Sequence, residues 1–243
     1  MIRGIWHKPE EVSLSQLRAE GFNAVAIRAT WVLGDTMKTY LGRMIKMYEE
    51  AKELGFEFFL VDYSQGMGAL NDNYNYEMVA DYFKPLSNVC FYIGEPYEEF
   101  VEKQKIKKEV VINALDKKIE HVSGNVFIDS TKRNSFWLYL LYHHVIKYTA
   151  ISSYWRQQTE WHGTNAVWIS GQLGYHNISS WRYKSLAKKA KGKQIAFLYQ
   201  FNPSNWSGDG WENKLFDIAF GKKLRMKLEA RRRKKFIEAF RGI

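Results

Sequence analysis

Gly21-Phe22-Asn23-Ala24-Val25-Ala26-Ile27-Arg28-Ala29 and, one helical stretch later, Gly55-Phe56-Glu57-Phe58-Phe59-Leu60-Val61-Asp62 are the two runs that decide the fold. Each carries a near-continuous apolar core, the pattern of a parallel strand covered on its outer face. The intervening residues 36–54 have helical periodicity and stop at Gly55. Residues 13–20 likewise stop at Gly21, so both glycines stand where a helix C′ residue belongs. Strand, helix and strand in this order imply parallel pairing.

The same alternation extends in both directions. Strands are expected at residues 3–7, 24–29, 56–62, 89–95, 125–129, 148–153, 166–170 and 194–200. Helices are expected at 98–121, 135–147, 179–191 and 211–225, with a short turn at 156–163. Eight repeats favour a single α/β (β/α)8 TIM barrel over an open sheet, and a barrel needs about 250 residues. No G-x-G-x-x-G follows the first strand, which counts against a nucleotide-binding open sheet. We therefore expect a barrel over residues 1–221 and a basic C-terminal helix or tail over 222–243.

The 243-residue chain is 46% hydrophobic and 26% charged, as globular proteins are, and contains 9 Trp, 15 Tyr and 15 Phe. Its single cysteine, Cys90, sits in an apolar run and is expected to be a buried, inert thiol. The N-terminus lacks a signal-peptide apolar region, so a cytoplasmic or virion-associated protein is expected. No apolar run approaches the length of a membrane span. Of the net charge of +10, residues 222–243 contribute ten Lys/Arg minus two acids, or +8, leaving about +2 for the other 221 residues.

That tail has two readings. Leu224, Leu228, Phe236 and Phe240 can form an apolar stripe that packs on the barrel. Alternatively, the run Arg231-Arg232-Arg233-Lys234-Lys235 contacts a nucleic acid or an anionic surface. Its charge suggests exposure, and the barrel is expected to stay folded without the last ten or so residues.

Functional groups of this fold gather at the C-terminal ends of the strands. In chain order these are Trp6 and His7, Arg28 and Trp31, Asp62 and Tyr63, Glu95 and Tyr97, and Asp129. Tyr154 and Trp155, Gln172 and Tyr175, then Gln200, Asn202 and Trp206 complete the ring. Flat rings suit the C–H faces of sugars, so Trp6, Trp31, Tyr63, Trp155 and Trp206 are expected to line one carbohydrate-binding cleft. Glu95, Asp62 and Asp129 on adjacent strands are the catalytic candidates. Glycoside hydrolysis needs an acid for the leaving oxygen and a carboxylate for an oxocarbenium-like centre.

Gly94-Glu95-Pro96 after a fourth strand resembles the Asn-Glu-Pro of clan-A glycoside hydrolases, which implies that Glu95 is the acid/base. The chain departs from that pattern at Gly94. It departs again at strand seven, where Gln172 stands in place of the nucleophilic Glu. Residues 21–30 are also similar to the second strand of family 25 lysozymes, whose fourth-strand Asp-x-Glu corresponds to Ile93-Gly94-Glu95. Family 18 chitinases likewise use a strand-four Glu. A non-catalytic sugar-binding or structural barrel, on a virion or cell surface, is the rival expectation, and the missing partner carboxylate favours it.

Other chemistries have less support. No H-x-H or H-E-x-x-H spacing is present, so neither a metal nor another cofactor is expected. No serine-centred nucleophile elbow occurs.

Overall fold

The computed structural model of the chain describes residues 2–6, 12–29, 33–64, 77–93, 107–122, 126–130, 148–151, 166–167, 184, 196–200 and 218–241. Among the described residues there are eight strands, each overlapping an expected one: β1 (Ile2–Trp6), β2 (Ala24–Ile27), β3 (Phe58–Ser64), β4 (Val89–Ile93), β5 (Val126–Ser130), β6 (Tyr148–Ile151), β7 (Ala166–Val167) and β8 (Ala196–Gln200). All described pairings are parallel, in the order β7-β6-β5-β4-β3-β2-β1-β8. Chain neighbours thus pair with one another, and the last strand lies beside the first.

The helices among the described residues are α1 (Leu14–Glu20), α2 (Met37–Glu53), α3 (Glu77–Phe83), α4 (Lys108–His121) and α5 (Lys222–Phe240). The Ser13 hydroxyl caps α1 by accepting the Gln16 N–H at 3.2 Å, and Thr36 and Thr39 close a reciprocal capping box on α2. The expected helix ends hold: Gly21 and Gly55 take left-handed φ values of 108° and 82°. Among the described residues, no helix is long and apolar enough to cross a membrane.

Strand register sorts the side chains into two faces. Ile5, Val25, Phe59 and Val89 share one row, and Ile27, Val61 and Phe91 the next. All seven belong to the buried core, which they form with Leu14 and Leu17 of α1, Tyr40, Met44 and Tyr48 of α2, and Val79 and Phe83 of α3. Tyr48 packs edge-on against Phe59 at 4.7 Å and Phe83 at 5.6 Å, joining α2, β3 and α3. The opposite face carries Gly4, Ala24, Ala26, Leu60, Asp62 and Cys90. Cys90 is half-buried there, not fully buried as expected.

Side chains fasten the N-terminal ends of the strands. Asn23 is buried; its Oδ1 accepts the Arg3 N–H at 2.7 Å. Its carbonyl accepts from Glu57 N–H at 2.9 Å and Phe58 N–H at 3.2 Å, so one residue ties β1, β2 and β3.

α5 corrects the expected exposure of the tail. Its second half packs against the α1–β2 corner, with Glu229, Arg233, Phe236, Ile237 and Phe240 buried. Phe236 stacks on Phe22 at 5.9 Å, and Arg233 makes two hydrogen bonds to the Glu20 carboxylate, at 2.7 and 2.9 Å. The apolar reading of the stripe holds for Phe236 and Phe240, whereas Leu224 is 42% exposed. The helix expected over 211–225 is interrupted, because Gly221 adopts a φ of 84° and α5 begins after it. α3 lies where no helix was expected.

Candidate functional site

Two of the expected site side chains meet at the C-terminal ends of β2 and β3. Ile27 and Val61 are register partners, so Arg28 and Asp62 follow side by side on the face away from the helical core. Arg28 Nε lies 3.4 Å from Asp62 Oδ2, with the two side chains 34% and 3% exposed. A carboxylate this deep costs several kcal/mol to desolvate, on the order of what a well-placed cation restores. The pair can therefore bind and polarise a hydroxyl or stabilise developing positive charge.

Tyr63 is a correction. Its ring was expected in the cleft but is only 2% exposed and belongs to the helix-facing core. β3 continues two residues beyond the expected end at Asp62, with a register shift between Asp62 and Ser64, and strand alternation turns Tyr63 away from Asp62. There it packs edge-on against Phe91 at 5.6 Å and stacks on His121 of α4 at 6.5 Å, with Lys118 Nζ 5.1 Å from the ring centre. Burial pushes the Tyr63 hydroxyl above its ordinary value, and Glu77 and Asp81 add to the rise.

The surroundings of Tyr63 were not anticipated. His121 Nε2 lies 3.0 Å from Asp81 Oδ1, and Lys84 Nζ donates to the same oxygen at 2.9 Å. The Lys84 hydrogen bond, then the Lys84 and His121 charges, hold the Asp81 carboxyl below its ordinary range. The i, i+3 spacing of Lys118 and His121 places both on one face of α4, a signal present in the sequence.

The remaining expectations are placed only in part. Trp6 and Gln200 are register partners at the ends of β1 and β8, and Trp6 also pairs with Ala26. Asp129 lies in β5 opposite Ala150. The side chains of Trp6, Asp129 and Gln200 fall outside the described residues, as do His7, Trp31, Glu95, Tyr97, Tyr154, Trp155, Gln172, Tyr175, Asn202 and Trp206. Among the described residues, no group of three or more His, Cys, Asp and Glu side chains converges as a metal site requires.

No family model matches the chain, and no curated protein matches it. Among solved structures, the crystal structure of SacUVDE is similar at a TM-score of 0.44 and 10% sequence identity, over 100% of both chains.

Proposed function

We propose that the chain is a closed (β/α)8 barrel of glycoside hydrolase type that acts on a polysaccharide or cell-wall glycan, with Glu95 as general acid/base. Closure is supported by the strand order, in which β8 already lies against β1 and only a β7–β8 contact is needed to complete the ring. The barrel is residues 1–221, and α5 packs on it from outside.

One observation carries the functional reading. Ile93 and Ile128 are register partners, and Asp129 and Glu95 follow them by one and two residues. Asp62 lies one rung lower, opposite Tyr92. Asp62 and Asp129 thus lie near the C-terminal ends of β3 and β5, the end where this fold concentrates its chemistry, and in the sequence Glu95 follows β4, the strand between them, by two residues. Glu95 protonates the leaving oxygen, Asp129 serves as base or nucleophile, and Asp62, paired with Arg28, stabilises the oxocarbenium-like centre. Trp6, paired with Gln200 at the same end, starts the row of sugar-stacking rings that Trp31, Trp155 and Trp206 extend.

The test is turnover on a panel of polysaccharides and cell-wall preparations. Glu95→Gln keeps the shape and removes the proton donor, so it abolishes hydrolysis and leaves glycan binding intact. Undiminished turnover by Glu95→Gln on a substrate the wild type hydrolyses defeats the assignment. A second reading, a non-catalytic carbohydrate-binding or structural barrel on a virion or cell surface, is favoured by the engagement of Asp62 with Arg28 and by the amide at Gln172. It predicts glycan binding without turnover, unchanged by Glu95→Gln.

A further inference from the structure

We infer that the outward side of α5, with the corner that leads into it, docks the protein on an anionic lipid surface. The helix has two sides of opposite character. The buried stripe Glu229, Arg233, Phe236, Ile237 and Phe240 holds it to α1 and β2. On the other side, Lys223, Lys227, Arg231 and Lys234 are all exposed, at spacings of four, four and three residues that keep them on one face. The exposed acid on that face is Glu238, 3.9 Å from Lys234.

Packing onto the body explains Arg233, which is paired with Glu20, and Arg241, whose guanidinium lies against Gly21, but none of these four cations. They lie along about 17 Å of helix, at 1.5 Å per residue. Such a row is complementary to a surface of negative headgroups, each cation adding about fivefold in partition.

The corner supplies a second, independent observation. Ile218, Phe220, Leu224 and Met226 are 82%, 63%, 42% and 37% exposed, although all are large and apolar. They bracket the left-handed Gly221 and stand among Lys222, Lys223 and Lys227. A nucleic acid accounts for the lysines but has no use for three aliphatic side chains at the same place, since its unstacked bases seek planar rings. A bilayer interface accounts for both, taking apolar side chains into the acyl boundary and cations at the headgroups. Charge and apolar insertion together give the two signals that stable anchoring requires.

The full-length protein is mixed with vesicles of phosphatidylcholine alone, or of phosphatidylcholine with phosphatidylserine, and sedimented. Binding is expected to the anionic vesicles only, weakening as salt rises. Replacing Lys223, Lys227, Arg231 and Lys234 together by Glu lowers partition by at least about a hundredfold. Ile218→Ser with Leu224→Ser removes the part of the binding that survives high salt. All six side chains are exposed, and an unchanged thermal transition verifies that each variant is folded. Equal binding to both kinds of vesicle, or wild-type binding by the quadruple variant, overturns the proposal. So does tighter binding to a single-stranded homopolymer that ignores the apolar substitutions, which assigns the face to nucleic acid. Concentration-dependent dimerisation abolished by Ile218→Ser also overturns it, by assigning the corner to a second copy.

Discussion

Asp62 and Tyr63 are consecutive, yet one enters an ion pair at the strand ends and the other the core beneath α4. Asp62 is the costlier group to bury, and Arg28 is the compensation. Arg28→Met keeps much of the stem but removes the cation beside a buried carboxylate. It is expected to destabilise by about 1–3 kcal/mol in a denaturant titration, less than the roughly 3–5 kcal/mol of a fully buried broken pair, because Arg28 is partly solvated. Asp62→Asn with Arg28→Met is expected to recover part of that loss, and a double-mutant cycle reads the coupling. Tyr63 gives a pH dependence. Its folded-state value lies above the ordinary 10.0, so the folded protein favours the neutral phenol. That contribution is complete below pH 10 and declines as pH rises beyond it. Tyr63→Phe is expected to flatten the alkaline fall in melting temperature, and an unchanged alkaline slope contradicts this account. The sequence named both residues for the strand ends, and Tyr63 lies in the core instead. One more turn of strand alternation decides where Tyr63 points, and strand ends are set by cross-strand pairing that no local pattern records.

At the scale of elements, α5 shows how charge hides packing. Its five-residue basic run suggested an exposed tail, yet the third member, Arg233, is buried against Glu20, 213 residues away. The i, i+4 spacing of Phe236 and Phe240 was the legible signal, and the surrounding cations obscured it. Truncation after residue 230 removes Arg233, Phe236, Ile237 and Phe240 and exposes Phe22. It is expected to lower the melting temperature sharply or prevent soluble expression. Phe236→Ala alone is expected to cost about 3–5 kcal/mol. A truncated chain that melts like the full one refutes this packing role. Gly21 offers a finer test at the same junction. It has a φ of 108°, and a Cβ there would lie 3.2 Å from Ile237 Cγ2. Gly21→Ala is expected to cost about 1–3 kcal/mol through backbone strain, with crowding of α5 added. α3 escaped sequence reading because seven residues with buried positions at Val79, Ala80 and Phe83 complete barely two turns. Such a helix is specified by Tyr48 and the sheet rather than by its own periodicity.

Across the whole molecule, all eight strands were legible because parallel strands covered by helices must be apolar along most of their length, leaving unbroken runs such as Val25–Ile27 and Phe59–Val61. The strand order was legible only by analogy with known folds, since pairing of β8 with β1 joins the two ends of the chain and has no local signature. Closure itself can be read from amide exchange. Along a strand, successive N–H groups point to opposite edges. β1 occupies one edge of β8 over the register Ile2–Ala196 to Trp6–Gln200. If β7 covers the other edge, consecutive amides from 196 to 200 should all exchange slowly, at rates approaching those of β2 and β3, whose edges are both paired. If the sheet is open at β8, protection should alternate, with every second amide exchanging orders of magnitude faster. Fragment-resolved hydrogen exchange followed by mass spectrometry, or residue-resolved exchange by NMR, distinguishes the two patterns. An alternating pattern in β8 would refute the closed barrel. It would also remove the geometric basis for gathering Trp6, Asp62, Glu95, Asp129 and Gln200 around one mouth.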